Sequence, residues 1–417
     1  MSGFPFLKYL DATLFVESVS LDQISREFGT PCYVYSRAAF TNAYRELDAA
    51  FAERNHLLCY AVKANPSLAI LDLFASLGSG FDIVSGGELR RVLKVGGDPQ
   101  KIVFSGVGKS SDEIRAALSV NILCFNVESE AELRALNQIA KEMDKIAPVS
   151  LRVNPDVDAK THPYISTGLK ENKFGIPFNE AEKLYFSGEK YTNISMNGLD
   201  FHIGSQLTEL APFSEACEKV IGLLDRLEEK KLQIDHLDFG GGLGIRYSEE
   251  NPPSTQNYVA ALCADLGHRT QRILIEPGRS LVGNAGLLLT RVQYLKHTSY
   301  RDFAIVDAAM NDLVRPALYD AYHEILPVTK NGQNTKTYQI VGPVCETGDF
   351  LGHDRKLALS QGDLLAVMSA GAYGMSMSSN YNSRPRAAEV MVDGDNIHLI
   401  RERESIEQLF ANERVLP

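Results

Sequence analysis

The chain has 417 residues, of which 44% are hydrophobic and 23% are charged. This composition is typical of an ordinary folded enzyme and excludes disordered and fibrous proteins, and the length suits two large domains. The formal net charge is -11 at pH 7, and no basic stripe is available to neutralise nucleic-acid phosphates. We therefore expect no nucleic-acid partner.

The N-terminus and the cysteines bear on the compartment of the protein. The first residues, MSGFPFLKYL, lack a basic region followed by an apolar core, and no apolar run reaches the ~18 residues that span a bilayer. Six cysteines are scattered without a C-x-x-C pair, which favours reduced thiols over disulfides or a zinc site. We expect a cytoplasmic protein with no membrane contact and no metal.

From about residue 56, short apolar runs alternate with longer amphipathic stretches, as expected of repeated βα units. The runs predict eight strands, at 57–62, 81–84, 101–105, 122–127, 149–153, 196–203, 234–239 and 272–277. Helical spacing is clearest at 128–145 and 212–232. Eight strands with intervening helices predict a (β/α)8 barrel of the TIM type. An open doubly wound sheet is the alternative, but no G-x-G-x-x-G follows the first strand.

After about residue 280 the pattern changes to apolar runs that predict antiparallel strands. These runs lie at 287–295, 303–309, 338–344, 364–370 and 389–400. The last run contains Val-Asp-Gly-Asp, a hairpin signal because Gly394 tolerates the positive φ of a tight turn. We therefore predict an α/β barrel over 31–280 and a β-rich barrel or sandwich over 281–417, which residues 1–30 would complete.

Polar residues at the predicted strand ends indicate where the chemistry lies, because active sites of such barrels occupy the carboxyl ends of the strands. Five strands end in groups suited to a cofactor: Lys63, Asp82, His202 with Ser205, the triglycine Gly240-Gly241-Gly242, and Glu276-Pro277-Gly278-Arg279. Lys63 follows an apolar run that would desolvate its amine for Schiff-base chemistry, although a lysine that merely snorkels is the alternative. The triglycine would admit a phosphate to its backbone N–H groups, or form a tight turn without a ligand.

The remaining strand-end residues are ambiguous one by one. Glu276 could hold a proton on a pyridine nitrogen, and Arg279 could bind a carboxylate or a phosphate, but an internal Glu–Arg pair explains both. His202 could stack on a flat ring or bond to the backbone, and Ser205 could hold a phosphate or cap a turn. Their joint placement at five strand ends favours a cofactor site.

Three polar clusters follow in the β-rich region, at 315–319, 345–349 and 370–374. They contain Arg315 with Tyr319, Cys345 with Glu346, and Tyr373. A thiol beside a carboxylate suggests a proton donor, but a lone cysteine is more often a small core residue.

The motifs in combination resemble a known family. The segments YAVKAN (60–65), FDIVSGGE (81–88), HIGS (202–205), GGGLG (240–244), EPGR (276–279), CETGD (345–349) and YGMSMSSNY (373–381) resemble the fold-type III pyridoxal-phosphate decarboxylases. Within that group, the segments 162–168, 173–175, 315–323 and 380–385 resemble the diaminopimelate decarboxylase family more than ornithine or arginine decarboxylases.

The resemblance implies decarboxylation of meso-2,6-diaminopimelate to L-lysine and CO2, the last step of lysine biosynthesis, with pyridoxal 5'-phosphate as the cofactor. It implies that Lys63 carries the cofactor, with Asp82, Pro277, Arg279 and Tyr373 beside it. His202 would stack on the ring, and Glu276 would pair with the ring nitrogen. Ser205, the triglycine and the Gly278 region would hold the phosphate.

For the substrate, the resemblance implies that Arg279, Arg315 and Tyr319 bind the distal carboxylate and Glu346 the distal ammonium, with Tyr373 nearby. Cys345 would return a proton to the decarboxylated carbon. It also implies a homodimer that shares its active sites, with Lys63 from one subunit and Cys345 from the other.

Three alternatives remain open at this point. A related decarboxylase could act on carboxynorspermidine or on a basic amino acid. An amino-acid racemase would need a second acid/base partner, which is not recognisable here. A non-catalytic binding protein is opposed by the presence of both Lys63 and Cys345.

Overall fold

The computed structural model describes residues 4–52, 54–158, 172–332 and 334–417. These residues form two compact units. The barrel unit consists of Tyr44–Gly244 and Asn251–Ser280, and the β-rich unit consists of the described part of Met1–Ala43 with Ile245–Glu250 and Leu281–Pro417. Residues 31–43, which the sequence placed with the barrel, lie in the β-rich unit because strand Cys32–Ser36 pairs with Gly286–His297 and Ala388–Asp393.

The barrel unit is built on eight parallel strands, numbered here barrel strands 1 to 8. They are His56–Ala61, Gly80–Ile83, Ile102–Phe104, Cys124–Val127, Ala147–Asn154, Ile194–Phe201, His236–Asp238 and Arg272–Ile275. Each strand pairs with the next, and strand 8 pairs with strand 1, which closes the barrel. All eight predicted strands are therefore confirmed. A short strand, Ile176–Pro177, is added beside strand 5.

Helices follow the barrel strands, and serine caps begin several of them. The longer helices are Leu68–Ser76, Gly86–Lys94, Ser111–Val120, Glu130–Glu142, Phe178–Phe186, Ala211–Glu229 and Thr255–Cys263. Ser85, Ser110 and Ser129 each accept a hydrogen bond from the backbone N–H three residues later, which satisfies a donor that the helix itself leaves unpaired. The helices Arg37–Ala50 and Arg279–Val282 each contain a boundary between the units.

The β-rich unit contains a small antiparallel sheet and a larger mixed sheet. The small sheet comprises Leu7–Leu10, Thr13–Val16 and Val19–Ser20. The mixed sheet comprises Cys32–Ser36, Gly286–His297, Asp302–Val306, Ile325–Pro327, Lys336–Val341, Phe350–Leu357, Leu364–Val367, Ala388–Asp393 and Asn396–Arg401. Short helices lie at Leu21–Phe28, Arg315–Tyr319 and Ile406–Leu409.

Strand direction in the mixed sheet differs in part from the antiparallel pattern that the sequence predicts. Asp302–Val306 runs parallel to Lys336–Val341, and Ala388–Asp393 runs parallel to Cys32–Ser36. The predicted hairpin is present, with Gly394 at φ 64° between its strands. One apolar core joins Leu14 and Ile24 to residues of the mixed sheet such as Leu289, so residues of the N-terminal segment complete this core.

Two expectations about solvent and redox state can be compared with the structure. Within the described ranges, no helix is both long enough and apolar enough to cross a membrane. All six cysteines carry free thiols, and Cys345 is the exposed one.

Candidate active site

The first site element is an ion pair between barrel strands 1 and 2. Lys63 lies in a single turn, Val62–Ala64, directly after strand 1, and its Nζ is 2.5 Å from Oδ2 of Asp82 on strand 2. The Asp82 side chain is fully buried, whereas that of Lys63 is 39% exposed. Among the described residues, Oδ1 of Asp82 has no hydrogen-bond partner. The pair thus orients an accessible amine above a buried carboxylate.

The triglycine follows barrel strand 7 and packs against the ends of strands 6 and 8. A Cβ added to Gly241 would lie 2.2 Å from the Glu276 carbonyl oxygen, and one added to Gly240 would lie 2.6 Å from that of Phe201. Gly240 and Gly242 also have φ of +60° and +118°. Close backbone packing therefore requires these glycines whether or not an anion binds.

Two of the three triglycine N–H groups are occupied within the protein. Gly240 donates to Oδ1 of Asp238 at 2.9 Å, and Gly241 donates to Nδ1 of His202 at 3.1 Å. Among the described residues, the N–H of Gly242 makes no hydrogen bond, so this group is the triglycine donor available to a phosphate.

His202 follows barrel strand 6 and is neutral. Burial, together with the positive charges of Arg152 and Lys63, holds the pKa of its imidazole well below the usual range. Because Nδ1 accepts the N–H of Gly241, the neutral ring carries its proton on Nε2. A neutral, fixed imidazole is suited to lie against a flat ring.

Arg279 and Ser205 meet at the rim. Nη2 of Arg279 donates to Oγ of Ser205 at 3.1 Å, and Arg279 is only 4% exposed. Arg279 follows the Glu276-Pro277-Gly278 segment after strand 8. The structure therefore brings together the strand-6, strand-7 and strand-8 loops that the sequence selected for a phosphate.

Glu276 belongs to a buried layer of acids inside the barrel, defined here as the acid layer: Asp82, Asp200, Asp238 and Glu276. Carboxyl oxygens of Asp200, Asp238 and Glu276 lie within 4.8 Å of one another. Burial and the charges of the other three acids raise the pKa of Glu276 well above its usual range, and Lys63 opposes this. Burial likewise raises the pKa of Asp238 to about 6.

Arg152 on barrel strand 5 compensates part of this charge. Its Nη1 lies 3.2 Å from Oε1 of Glu128, and its Nε lies 4.0 Å from Oδ2 of Asp200. Carboxylates still outnumber Lys63 and Arg152 in this described interior. The layer therefore fits a bound group that brings a positive charge, such as a protonated pyridine ring.

Arg315 is the main cationic group of the β-rich unit that the sequence selected. It is 6% exposed and begins the helix Arg315–Tyr319. Its guanidinium lies over the rings of Tyr247, at 5.1 Å, and Tyr319, at 5.7 Å, and its Nε donates to Nε2 of His323 at 3.4 Å. A buried guanidinium packed against two tyrosine rings is suited to hold a carboxylate.

Cys345 and Glu346 are exposed, which excludes the reading of Cys345 as a core residue. The loop is fixed by the N–H of Cys345 donating to Oδ1 of Asn382 at 2.8 Å, and by Oδ2 of Asp349 accepting from the N–H of Val344 at 2.8 Å. Tyr373 has φ of 55°, a conformation that bulky residues adopt rarely and that is frequent at functional sites. The motif at 162–168 lies outside the described residues.

Five residues of the barrel interior escaped the sequence reasoning: Ser105, Asn126, Arg152, Asp200 and Asp238. One signal could have found two of them. Leu-Asp-Phe occurs at 199–201 and again at 237–239, each at the end of an apolar strand. The two aspartates are register partners on adjacent strands.

The comparison with known proteins identifies the family. A family model described as the pyridoxal-binding domain of pyridoxal-dependent decarboxylases matches residues 37–283. The diaminopimelate decarboxylase of Pseudomonas aeruginosa is 58% identical over 409 residues, which cover 98% of this chain and 99% of that protein. The chain belongs to the diaminopimelate decarboxylase family.

Solved structures named for this family share the fold. The Helicobacter pylori diaminopimelate decarboxylase complexed with L-lysine is 43% identical, with a TM-score of 0.91 and coverage of 94% of this chain and 98% of that one. The M. jannaschii diaminopimelate decarboxylase in co-complex with L-lysine is 38% identical, with a TM-score of 0.96 and coverage of 100% and 99%. The predicted family, barrel and β-rich domain are confirmed, and membership disfavours the racemase and binding-protein alternatives.

Proposed function

We propose that the chain catalyses the pyridoxal-phosphate-dependent decarboxylation of meso-2,6-diaminopimelate to L-lysine and CO2, the last step of lysine biosynthesis. The observation that carries the proposal is the Lys63–Asp82 pair at the carboxyl rim of a barrel that also presents His202 and Glu276, in a chain of this family. A decarboxylase needs an amine, a ring stacker and a carboxylate in this arrangement.

The barrel unit supplies the cofactor site. Lys63 Nζ holds the cofactor, and Asp82 orients Lys63. Glu276 keeps a proton on the ring nitrogen, and the neutral imidazole of His202 covers a ring face. When bound, pyridoxal phosphate accepts the electron pair that the departing carboxylate leaves on the substrate carbon.

The phosphate donors form one group at the strand-6 to strand-8 loops. We assign Ser205, Gly278 and the N–H of Gly242 to the phosphate, and Arg279 lies beside them through its hydrogen bond to Ser205. Gly240 and Gly241 shape the loop instead, since their N–H groups bind Asp238 and His202. Pro277 joins Glu276 to this loop and so sets the spacing between the ring and phosphate groups.

The β-rich unit supplies the groups that select the substrate. Arg315 and Tyr319 bind the distal carboxylate, with Arg279 as the further arginine that the family resemblance assigns there. Glu346 binds the distal ammonium, and Tyr373 contributes beside the cofactor and the substrate. A buried guanidinium left unpaired by ornithine or lysine would penalise those substrates. The exposed thiol of Cys345 returns a proton to the substrate carbon.

The protein acts as a cytoplasmic homodimer in this proposal, with Lys63 of one subunit and Cys345 of the other serving one site. Free thiols suit a reducing compartment. The dimer follows from the family resemblance.

The deciding experiment is an assay of the purified protein with pyridoxal phosphate and meso-diaminopimelate. We expect L-lysine and CO2 in equal amounts, with Lys63→Ala as the inactive control. Parallel assays with carboxynorspermidine, ornithine, arginine and lysine separate the neighbouring decarboxylases. Greater turnover of any of these substrates, or racemisation without CO2 release, would contradict the proposal.

A further inference from the structure

The carboxylate of Glu276 is held by two neutral donors on one oxygen. Oγ of Ser105, just after barrel strand 3, lies 3.1 Å from Oε1, and Nδ2 of Asn126, on strand 4, lies 3.3 Å from the same atom. Within the described part of the chain, no hydrogen bond reaches Oε2. One oxygen is therefore anchored to the barrel, and the other is left for a ligand.

The orientation of the Asn126 amide follows from its surroundings. The thiol of Cys124 lies 3.7 Å from Oδ1 of Asn126, whereas Nδ2 lies near Oγ of Ser105, at 3.2 Å, and Oδ2 of Asp238, at 3.5 Å. The amide hydrogens thus face the acids. Asp238 in turn accepts the N–H of Gly240, so Asn126 stands between the ring-nitrogen acid and the triglycine.

Both donors are buried and carry no charge. Ser105 is 3% exposed and Asn126 is fully buried. A hydrogen bond donated to a carboxylate favours its ionised form, and inside the acid layer this opposes the burial and like charges that favour protonation. Because these donors are neutral, they stabilise the carboxylate without a positive charge that would compete with the protonated ring nitrogen for Glu276.

We infer that Ser105 and Asn126 are positioning residues that keep Glu276 ionised and aim one of its oxygens at the cofactor's ring nitrogen. The inference rests on the proposed function. Without these donors, the proton shared between Glu276 and the ring nitrogen moves toward Glu276, and the ring becomes a weaker electron acceptor.

The test uses holoenzyme loaded with pyridoxal phosphate that is labelled with ¹⁵N in the ring. The ¹⁵N chemical shift reports whether the ring nitrogen carries a proton, a property that a merely structural role would not change. We expect Ser105→Ala and Asn126→Leu to move the signal toward the unprotonated position and to lower kcat about ten- to hundredfold, as for loss of a hydrogen bond to a charged group. Ser105→Thr, which keeps the hydroxyl, should restore both.

A matched control exists on barrel strand 5. Ser150 is fully buried, and its hydroxyl lies 2.7 Å from Nε2 of His236 and 3.7 Å from the sulfur of Cys124, without a hydrogen bond to Glu276. Ser150→Ala should leave the ring-nitrogen signal in place. Equal shifts in Ser150→Ala and Ser105→Ala would mean general loosening of the barrel and would overturn the inference. A protonated signal and wild-type kcat in Ser105→Ala would also overturn it, even if Asn126→Leu fails to fold.

A Glu276→Gln variant separates this inference from the proposed function. If Glu276→Gln shifts the ¹⁵N signal but Ser105→Ala does not, the inference fails and the role of Glu276 stands. If Glu276→Gln leaves the wild-type signal, or if the wild-type protein binds no pyridoxal phosphate, the proposed cofactor site fails and the inference fails with it.

Discussion

The barrel unit and the β-rich unit contribute functional groups in different ways. In the barrel, Lys63, His202 and Glu276 follow directly from strand ends, and each is fixed by neighbours in other strands or loops. In the β-rich unit, Arg315 and Cys345 sit in a short helix and a loop between strands, with no periodic pattern to mark them. The difference teaches that a closed parallel barrel determines where its polar side chains converge, whereas a mixed sheet leaves their placement to individual loops.

The largest expected effect is in the barrel. Lys63→Ala should abolish decarboxylation and the bound chromophore, because no other amine occupies the turn after strand 1. Absorption spectroscopy and mass spectrometry after borohydride reduction provide the measurement. Lys109, whose side chain is almost fully buried against Glu132, is the control lysine and should remain unlabelled after reduction. Covalent labelling of any lysine other than Lys63 would refute the assignment.

In the β-rich unit, the substitution expected to reduce activity most is Arg315→Ala. It should cost about 2–5 kcal/mol in transition-state binding of diaminopimelate, as for one partner of a desolvated charge pair. The measurement is kcat/KM. Arg355→Ala is the control. It removes another guanidinium that lies over a tyrosine, 3.8 Å from the ring centre of Tyr322, and should leave kcat/KM near wild type. An unchanged kcat/KM in Arg315→Ala would remove this arginine from the substrate site.

The acid layer of the barrel should make the stability of the protein depend on pH. Burial raises the folded-state pKa of Asp238 to about 6 from 3.8, so its contribution to stability is complete below pH 3.8 and is lost as the pH rises through about 6. In the wild-type protein this titration lowers the free energy of unfolding by about 3 kcal/mol over this pH window, and Asp238→Asn should abolish that decrease. Urea unfolding of the cofactor-free protein between pH 4 and pH 7 measures it.

The control for this experiment is Asp72→Asn, which changes an exposed aspartate on helix Leu68–Ser76. It should leave the dependence of unfolding free energy on pH as in wild type. A wild-type pH dependence in Asp238→Asn would show that the pKa of Asp238 is not the source of the pH dependence.

The smallest expected signal tests the proposed homodimer and its shared active sites. Lys63→Ala and Cys345→Ala proteins, each inactive, should regain about one quarter of wild-type activity after subunit exchange, because about half of the dimers are mixed and each mixed dimer has one intact site. Mass spectrometry must first confirm that mixed dimers form. Zero recovery in confirmed mixed dimers would place both residues of a site in one chain.

The sequence predicted the barrel well for a physical reason. The barrel strands are buried on both faces over most of their length, so apolar runs alternating with amphipathic helices mark all eight. Residues 31–43 were placed with the barrel because the partners of strand Cys32–Ser36, near residues 286 and 388, are remote in the chain. Sequence periodicity contains no information about such pairing.

The site shows the same limit at the level of side chains. Lys63 and Glu276 were predictable because they follow strands, where polar groups are conspicuous. Asn126 and Asp238 lie inside the apolar runs 122–127 and 234–239, where an isolated polar residue gives no sign of the direction in which it points. The stacking of Arg315 over Tyr247 depends on the short segment Ile245–Glu250 belonging to the β-rich unit, which no local pattern indicates.

The β-rich unit is assembled from segments that are far apart in the chain, and this has a consequence during synthesis. Strand Cys32–Ser36 leaves the ribosome long before its partner Ala388–Asp393. At about 5–20 residues per second, the wait is about 20 to 70 seconds. All five residues of the early strand are buried in the finished fold. Its other partner, Gly286–His297, also emerges late, so the nascent chain displays this strand with at least one unpaired edge for the whole interval. Slower translation of the last third of the chain would lengthen the time for which this segment is open to aggregation.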